Sequence, residues 1–257
     1  INAAKGNGEP ESVEVLGLNP NTLYYFAIKS ADAAPNWSDM SNVVSVTTPA
    51  GATVNEGDIV INELMWMGTG AGSDDEYLEL RNMTGRTISL SNFSLEKYDG
   101  TDMGIDFSGK SIAPNGYFLI TNFATGSASS HLKSGVVSNL VDSSLTLNNS
   151  NLGLKLLANG SQIDTAGNGS TPLSGIYDGT SDIKKYYSME RTTVPGDGAN
   201  ALSWYTCIDP ASTGDFFTGS FERGTPGAEN RSENEPVSHS PGIVMTKSDT
   251  ALTFSVE

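Results

Sequence analysis

Acidic side chains in two loops are the residues of this sequence that come closest to forming a chemical site. Six of them are candidate calcium ligands: Asp74, Asp75, Glu76, Asp99, Asp102 and Asp106. The first three follow a loop rich in Gly and Ser, and the other three lie within the sequence DGTDMGID. Calcium takes about six to eight oxygen atoms from loops of this kind. The spacing matches no EF-hand, so solvated turn acids are the simpler interpretation.

Glu63 and Glu79 offer a second chemistry, general acid–base catalysis. They lie in apolar stretches that read as neighbouring strands, so the two carboxylates could face each other as in a glycoside hydrolase. A buried group of Glu63, Glu76 and Glu79 lining a pocket would support an enzyme. The same acids pointing separately into solvent would oppose it. A glycoside hydrolase also needs a deep cleft with aromatic platforms, which makes this alternative the weaker one.

Histidine and cysteine add little further chemistry. The two histidines, His131 and His239, lie in different segments of the chain. Ser129 and Ser130 precede His131, but adjacency in sequence is not the geometry of a catalytic triad, so we interpret His131 as a solvated loop residue. Cys207 is the single cysteine, which excludes an intrachain disulfide. It lies among aromatic residues in SWYTC, a setting that predicts a buried, inert thiol.

Trp66 is the candidate for a binding surface. Together with Met65 and Met67 it forms an apolar group beside the loop Gly68–Ser73. An exposed group of this kind could bind a sugar or a protein partner. The alternative is that Trp66 caps the hydrophobic core at the end of its strand.

The net charge of the chain restricts its partners. Across 257 residues, 14 Lys and Arg face 30 Asp and Glu, a formal net charge of −16. This charge repels phosphate backbones and the longest basic run is Lys184-Lys185, so we expect no nucleic-acid partner. No apolar stretch approaches the ~20 residues that span a bilayer, so we expect no membrane span. The sequence starts at Ile1 within a pattern and without a signal peptide, which indicates a piece of a longer protein.

Alternating apolar residues and frequent turn signals predict an all-β chain. Residues 59–82, IVINELMWMGTGAGSDDEYLELRN, read as two neighbouring strands around a loop. Asn159-Gly160 lies between two apolar stretches and predicts a two-residue hairpin. No window of useful length has helical periodicity. The central strands are predicted at Asp58–Met67, Glu76–Asn82, Ser94–Lys97, Tyr117–Asn122, Gly153–Ala158, Gln162–Thr165, Tyr186–Arg191 and Leu202–Cys207.

Two short polar linkers divide the chain into three predicted β-modules. The first module contains LNPNTLYYFAIKSAD and SNVVSVTT, which resemble the last strands of a fibronectin type III domain with its tyrosine corner. The third begins with IVMTKSDTALTFSVE, which reads as the first strand pair of a further sandwich. The predicted boundaries are 1–48 for the truncated first module, 49–57 for a linker, 58–230 for a complete β-sandwich, 231–242 for a second linker and 243–257 for the start of the last module.

Ordered motifs within residues 58–230 resemble a bacterial lamin-tail domain, an immunoglobulin-like β-sandwich. In chain order they are the 59–82 strand pair, LRNMT, SNFSLEKYDG, FSGKSIAPNGYFLITN, SLTLNNSNLGLKLLANGSQIDTAG and, as closing elements, SMER, Trp204 and GTPGAEN. The resemblance implies a module that binds, spaces or anchors and that does not catalyse.

The resemblance and the modular layout together define the expected function. We expect a non-catalytic structural, adhesive or binding module of a multidomain secreted or cell-surface bacterial protein. The alternative is an accessory binding module of an extracellular nuclease, protease or glycosidase whose catalytic domain lies outside this sequence. Expected partners are the neighbouring domains of the same chain and an extracellular protein or polysaccharide. We expect no cofactor, with calcium as the one possible exception.

Overall fold

The computed structural model describes residues 15, 18, 22–31, 34, 36–48, 53–180 and 182–231, together with the backbone of strands 243–248 and 251–256. Strands dominate, which confirms the predicted all-β fold. Helical structure within these residues is limited to a helix α1, Ala211–Phe216, and a 3₁₀ turn at Ala201–Ser203.

Eighteen strands are present in the described residues, and each predicted central strand has a counterpart among them. The predicted strand Tyr186–Arg191 is interrupted at Ser188 and forms two strands. In chain order the strands are β1 Leu23–Phe26, β2 Val44–Thr47, β3 Ile59–Met65, β4 Tyr77–Asn82, β5 Ile88–Ser89, β6 Phe93–Lys97, β7 Ser111–Ile112, β8 Tyr117–Thr121, β9 Leu140–Val141, β10 Leu152–Ala158, β11 Ser161–Ser170, β12 Ile176–Asp178, β13 Lys185–Tyr187, β14 Met189–Arg191, β15 Trp204–Thr206, β16 Glu222–Arg223, β17 Ile243–Ser248 and β18 Ala251–Val256.

The larger sheet has six strands in the order β15-β14-β3-β4-β8-β9. Its neighbours are antiparallel except for the parallel pair β8 and β9. A register shift between Ile61 and Glu63 interrupts the pairing of β3 with β4, and beyond it Glu63 lies opposite Glu79. A one-residue shift reverses the face to which side chains point, so this bulge decides which residues of β3 share a face with Glu63.

The second sheet has three strands in the order β11-β10-β6. Its hairpin turns at Asn159 and Gly160, with φ angles of 52° and 76°. Two consecutive residues with positive φ are the requirement of a type I′ turn, so the predicted Asn-Gly hairpin is confirmed. Two smaller sheets, β5-β7 and β12-β13-β16, extend the structure at its margins.

The larger sheet turns one apolar face toward the hydrophobic core. Leu78 of β4 pairs with Leu64 of β3 and with Ile120 of β8, and cross-strand partners point to the same face. These side chains are fully buried, as is Leu156 of the three-stranded sheet, and all belong to one hydrophobic cluster. The two main sheets with this core between them form the β-sandwich that the sequence predicts.

A buried ion pair connects the two sheets. Arg191 of β14 donates to Asp164 of β11 at 3.0 Å, and the exposed fractions of the two side chains are 1% and 8%. The guanidinium also donates to the carbonyl oxygens of Ile61 and Thr165 and lies 4.8 Å from the ring of Trp204. Burial raises the pKa of Asp164, although the charge of Arg191 opposes this rise. The hydrogen bonds of Arg191 therefore stabilise the ion pair in its buried position between the two sheets.

The flanking segments each contain a strand pair. β1 and β2 form an antiparallel hairpin whose side chains are largely exposed, with 68% of Tyr25 and 54% of Val44 accessible. β17 and β18 are likewise antiparallel, as predicted. The resemblance of the first segment to a fibronectin type III domain and the proposed module boundaries stay predictions. Residues 49–52 and 232–242 of the predicted linkers, which include His239, lie outside the described residues.

Within the residues described above, no helix has the length and apolar character needed to cross a membrane.

Candidate functional site

Three glutamates from neighbouring strands stand in a row across the larger sheet. Glu63 of β3 is the register partner of both Glu190 of β14 and Glu79 of β4. Partners of this kind point to the same face with Cβ atoms about 4.5–5.5 Å apart. Their chain neighbours Leu64 and Leu78 point into the core, so the glutamates occupy the opposite face. We call these three residues the acidic row; none of them has exposed surface.

The acidic row is covered by residues 224–231, GTPGAENR, which we call the closing segment. Its backbone approaches the sheet closely at Gly224, where a Cβ atom would lie 2.2 Å from the hydroxyl oxygen of Tyr77. Only glycine allows this approach. At the other end of the segment, the backbone N–H of Arg231 donates to Glu190 Oε2 at 3.3 Å.

Hydrogen bonds between the closing segment and the acidic row connect all three strands. The backbone N–H of Thr225 donates to Glu63 Oε1 at 2.9 Å, and its hydroxyl donates to Glu190 Oε1 at 2.8 Å. The backbone N–H of Gly227 donates to Glu79 Oε2 at 2.5 Å. The carboxyl groups therefore act as acceptors that fasten a distant part of the chain onto the sheet.

Burial strongly disfavours the ionised form of these carboxyl groups. Burial, followed by the neighbouring charge of Glu190, raises the pKa of Glu63 to about 8. Hydrogen bonds from Ser188, Tyr77 and Thr225 lower the pKa of Glu63 but do not offset the burial. Burial and the charge of Glu63 also raise the pKa of Glu79 well above its ordinary value. Glu63 and Glu79 therefore retain protons at neutral pH.

The acidic row places Glu63 beside Glu79 as an acid–base pair would require, but Glu76 is not part of it. The Glu76 carboxylate accepts a hydrogen bond from the backbone N–H of Leu147 at 2.9 Å, and burial raises its pKa to about 8. The three acids named for an enzyme thus neither line one pocket nor point into solvent. A substrate would reach Glu63 and Glu79 only if the closing segment departed.

A second polar network connects three loops around His131. Its Nδ1 lies 2.6 Å from the carboxylate of Glu222, whose side chain has no exposed surface, while 31% of the histidine side chain is exposed. The same Glu222 oxygen accepts the backbone N–H of Gly70, and the backbone N–H of His131 donates to Asp75. The carboxylate of Asp75 also accepts the hydroxyl of Thr69. His131 is therefore held by a buried acid, which corrects the interpretation as a purely solvated loop residue.

The calcium candidates of the first loop have three different environments. Asp74 is exposed, and the hydroxyl of Ser73 donates to its carboxylate at 3.1 Å. Asp75 is 2% exposed and accepts a hydrogen bond from the backbone N–H of His131. Glu76 is 5% exposed and accepts one from the backbone N–H of Leu147. The fold thus separates three residues that adjoin in sequence.

The candidates of the second loop are exposed and each closes its own turn. Asp99 accepts the backbone N–H of residue 101, Asp102 that of residue 104, and Asp106 that of residue 108, at 2.8–2.9 Å. Hydrogen bonds of these turns lower the pKa of Asp99 and of Asp106. Among the described residues, no three His, Cys, Asp or Glu side chains are grouped as metal ligands. Calcium binding stays a prediction from the sequence.

Trp66 is almost entirely covered. It is 7% exposed, its Nε1 donates to the carbonyl oxygen of Ser174 at 3.0 Å, and it belongs to the hydrophobic cluster, which is the position of a core cap. Nearby Gly175 packs against its indole ring and leads into β12, where Tyr177 is 52% exposed. The ring of Tyr177 lies 5.7 Å from that of Tyr186. The accessible aromatic surface in this part of the fold is therefore that of Tyr177.

Two residues of the contact between the acidic row and the closing segment were not predicted from the sequence, namely Glu190 and Thr225. Glu190 lies in SMER and Thr225 in GTPGAEN, both of which the family resemblance marked as closing elements without a role for these side chains. An available signal was that three predicted strands have an acid in their interior, namely Glu63, Glu79 and Glu190. Cys207, by contrast, is fully buried as predicted, and burial raises the pKa of its thiol.

The fold and the acidic row define the protein class as an all-β sandwich. Its buried polar groups form hydrogen bonds that connect distant parts of the chain. Residues 52–170 match the family model of the Lamin Tail Domain, and this region is similar to that family. Lamin-tail domains are non-catalytic, immunoglobulin-like modules. The matched region ends with β11, so Glu190 and the closing segment lie beyond it. No curated protein sequence matches the chain.

Proposed function

We propose that the chain is a structural or adhesive part of a multidomain protein that bacteria secrete or display on their surface. Its role is to hold or attach neighbouring domains without catalysing a reaction. The observation that supports this proposal is the use of its chemically capable acids as fasteners. Glu63, Glu79 and Glu222 each accept backbone N–H groups from loops remote in sequence.

The hydrogen bonds that these acids accept contribute to the stability of the fold. A buried carboxyl group that loses its hydrogen-bond donor leaves an unsatisfied acceptor, which costs about 1–3 kcal/mol. An active site instead keeps its acids accessible to a substrate. The match of residues 52–170 to a non-catalytic module points the same way.

Hydrolase assays on the full chain test the non-catalytic part of the proposal. We expect no turnover of nitrophenyl glycosides, nitrophenyl esters, casein or plasmid DNA at pH 5, 7 and 9. Turnover that disappears in both Glu63→Gln and Glu79→Gln would overturn it and would place an enzyme in residues 58–230.

A second role, as a binding module attached to an extracellular hydrolase, is supported by the aromatic surface at β12. Tyr177 is half exposed, and Ile176 beside it is 37% exposed. Arg223 lies 4.5 Å from the ring of Tyr187 in the adjoining strand. Exposed aromatic rings bordered by polar groups are the kind of surface that an extracellular protein or polysaccharide binds.

Co-sedimentation separates the two roles. The full chain is mixed with insoluble cellulose, chitin or purified bacterial cell walls and the bound fraction is measured. Retention on one polysaccharide that is lost in Tyr177→Ala supports the accessory binding module. Tyr98→Ala is the matched control, because Tyr98 is 56% exposed and lies near Lys155 of a different sheet. Retention on cell walls alone, or on none of these materials, favours the structural role.

A further inference from the structure

The closing segment is held on the sheet by acceptors that belong to the acidic row. Four donors of the segment reach it from three residues, namely the N–H and hydroxyl of Thr225, the N–H of Gly227 and the N–H of Arg231. The acidic row is fully buried beneath these contacts, so the segment is what separates Glu63 and Glu79 from solvent. Departure of the segment would hydrate both carboxyl groups.

The groups that face the acidic row determine how it responds to protons. From β4, the hydroxyl of Tyr77 donates to Glu63 at 2.6 Å. From β3, the Nδ2 of Asn62 donates to Glu79 Oε1 at 2.7 Å. After β15, the thiol of Cys207 lies near enough to interact with Glu63 and Glu190. These facing groups are neutral when their own protons are in place.

The positive charge of the closing segment is directed elsewhere. The guanidinium of Arg231 donates to Asp209 at 3.1 Å and to Asp215 at 2.7 Å, and it lies 5.2 Å from the ring of Phe216. Only its backbone N–H reaches the acidic row, at Glu190. The charge of Arg231 is therefore shared with two other carboxylates.

A buried hydroxyl also faces the acidic row. Ser188 Oγ is buried beside Glu63, and its hydrogen bond to Glu63 lowers the pKa of that carboxyl group. The burial of Glu63 and the neighbouring Glu190 outweigh this contribution. Protonation of the row is thus favoured by the adjacency of its carboxyl groups in a buried site.

We propose that the closing segment is a pH-responsive latch, held on the sheet while Glu63 and Glu79 are protonated and loosened as they ionise. Two adjacent carboxylates in a low dielectric repel each other, and each is desolvated as well. Ionisation therefore favours any state in which water reaches them. The latch changes the exposure of residues 224–231 and does not depend on which partner the module binds.

The direction of the pH effect follows from the burial of Glu63. In the closed state burial raises the pKa of Glu63 to about 8, whereas hydration returns it toward its ordinary value of 4.5. Between these values the closed state binds one more proton than the open state. Raising the pH in this window therefore promotes opening, by at most about tenfold per pH unit for each group.

Amide hydrogen exchange measured by NMR on the full chain tests the latch. Protection factors, which correct for the intrinsic effect of pH on exchange, are determined for the amides of Thr225 and Gly227 at pH 5, 6.5 and 8. We expect them to fall on the order of 100-fold from pH 5 to pH 8. The amide of Leu80 in β4 is expected to stay protected, which distinguishes local opening from global unfolding.

Two variants make the test specific to the acidic row. The double substitution Glu63→Gln with Glu79→Gln keeps carbonyl acceptors but removes the ionisable protons, so the fall in protection should disappear. Glu76→Gln is the matched control, because burial raises the pKa of Glu76 to about 8 at a site away from the closing segment. It should leave the fall intact.

Three results would overturn the latch. They are a change of less than twofold in the wild-type protection of Thr225 and Gly227, a fall that persists in the double variant, or a fall that Glu76→Gln removes. The wild-type measurement decides the question even if the double variant does not fold.

Discussion

The two faces of the six-stranded sheet are both buried, yet they are stabilised by different chemistry. On one face Leu64, Leu78 and Ile120 pack into an apolar core. On the other face Glu63 and Glu79 are equally buried, but by a polar segment that hydrogen-bonds to them. Antiparallel sheets commonly leave the polar face to solvent. Here the side chains alternate between the two faces in the usual way, but the polar face is buried as well.

This difference teaches that burial alone does not identify a hydrophobic core. The leucines of the apolar face contain no titratable group, so their packing does not itself depend on pH. The acidic face responds to pH because burial raises the pKa of Glu63 to about 8. Substitutions and pH should therefore affect the two faces in distinguishable ways.

The largest expected effect lies on the core side, at the ion pair between the sheets. Arg191→Ala leaves Asp164 buried and without its cation, which should lower the free energy of unfolding by about 3–5 kcal/mol. Urea denaturation followed by tryptophan fluorescence measures the change. Arg81→Ala is the matched control, because Arg81 is a less buried arginine of the same sheet that donates to the carbonyl oxygen of Thr193. Equal losses in the two variants would contradict the prediction.

The second effect is the pH dependence that the acidic face should impart. In the unfolded chain Glu63 and Glu79 ionise near pH 4.5, but in the folded state burial raises the pKa of Glu63 to about 8 and that of Glu79 well above its ordinary value. Folding therefore retains protons above pH 4.5, so the contribution of these two groups to stability is greatest below pH 4.5 and is lost as the pH rises to 8. Each group contributes at most about 1.4 kcal/mol per pH unit.

Urea denaturation at pH 5, 6.5 and 8 measures this second effect. The combined variant Glu63→Gln and Glu79→Gln should reduce the slope of the profile between pH 5 and 8. Its apolar counterpart, Leu78→Ala, should lower stability at every pH by about 2–5 kcal/mol without flattening the profile. A wild-type stability that rises from pH 5 to pH 8 would show that the acidic face is ionised in the folded state.

A third effect isolates one contact between the closing segment and the acidic row. Thr225→Val retains the shape of the side chain but removes the hydroxyl that donates to Glu190 at 2.8 Å. We expect a loss of about 1–3 kcal/mol because Glu190 then loses one of its hydrogen-bond donors while it stays buried. Thr192→Val is the control, since the hydroxyl of Thr192 donates to the carbonyl oxygen of Val194 at an exposed position. Thermal unfolding at pH 6 compares the two, and an equal change in Tm would contradict the role of Thr225.

The smallest effect contrasts buried acids with the exposed acid Asp102. Asp102→Ala removes the turn contact to Gly104, and at a surface position we expect a change within about 0.5 kcal/mol. The same melting experiment with millimolar calcium tests the predicted cation site. A rise in Tm in the wild type that Asp102→Ala abolishes would support it, and no rise would remove it.

The sequence predicts well the strands that form the apolar core of the sandwich. Alternation in β3 and β4 predicts two paired strands, and Asn159-Gly160 predicts the hairpin of the second sheet because both residues tolerate positive φ. These signals are local, since they depend on a few neighbouring residues. They are sufficient for the all-β class and for most of the central strands.

The polar half could not be predicted because it depends on contacts between residues far apart in sequence. The bulge between Ile61 and Glu63 decides that Glu63 faces Glu79, and no local signal marks that bulge. His131 meets Glu222 across 91 positions of the chain, and Thr225 meets Glu63 across 162. Short strands such as β9 and β16 likewise exist only through their partners.

The acidic face also has a consequence for the order in which the protein is synthesised. A ribosome releases β3 and β4 well before residues 224–231, so an incomplete chain presents Glu63 and Glu79 to water. Hydrated and ionised there, the two charges oppose the association of unfinished sheets, which are prone to aggregate. Completion of the chain then replaces water by the backbone of Thr225 and Gly227 and returns protons to the glutamates. The same side chains thus keep the nascent sheet soluble and later seal the mature one.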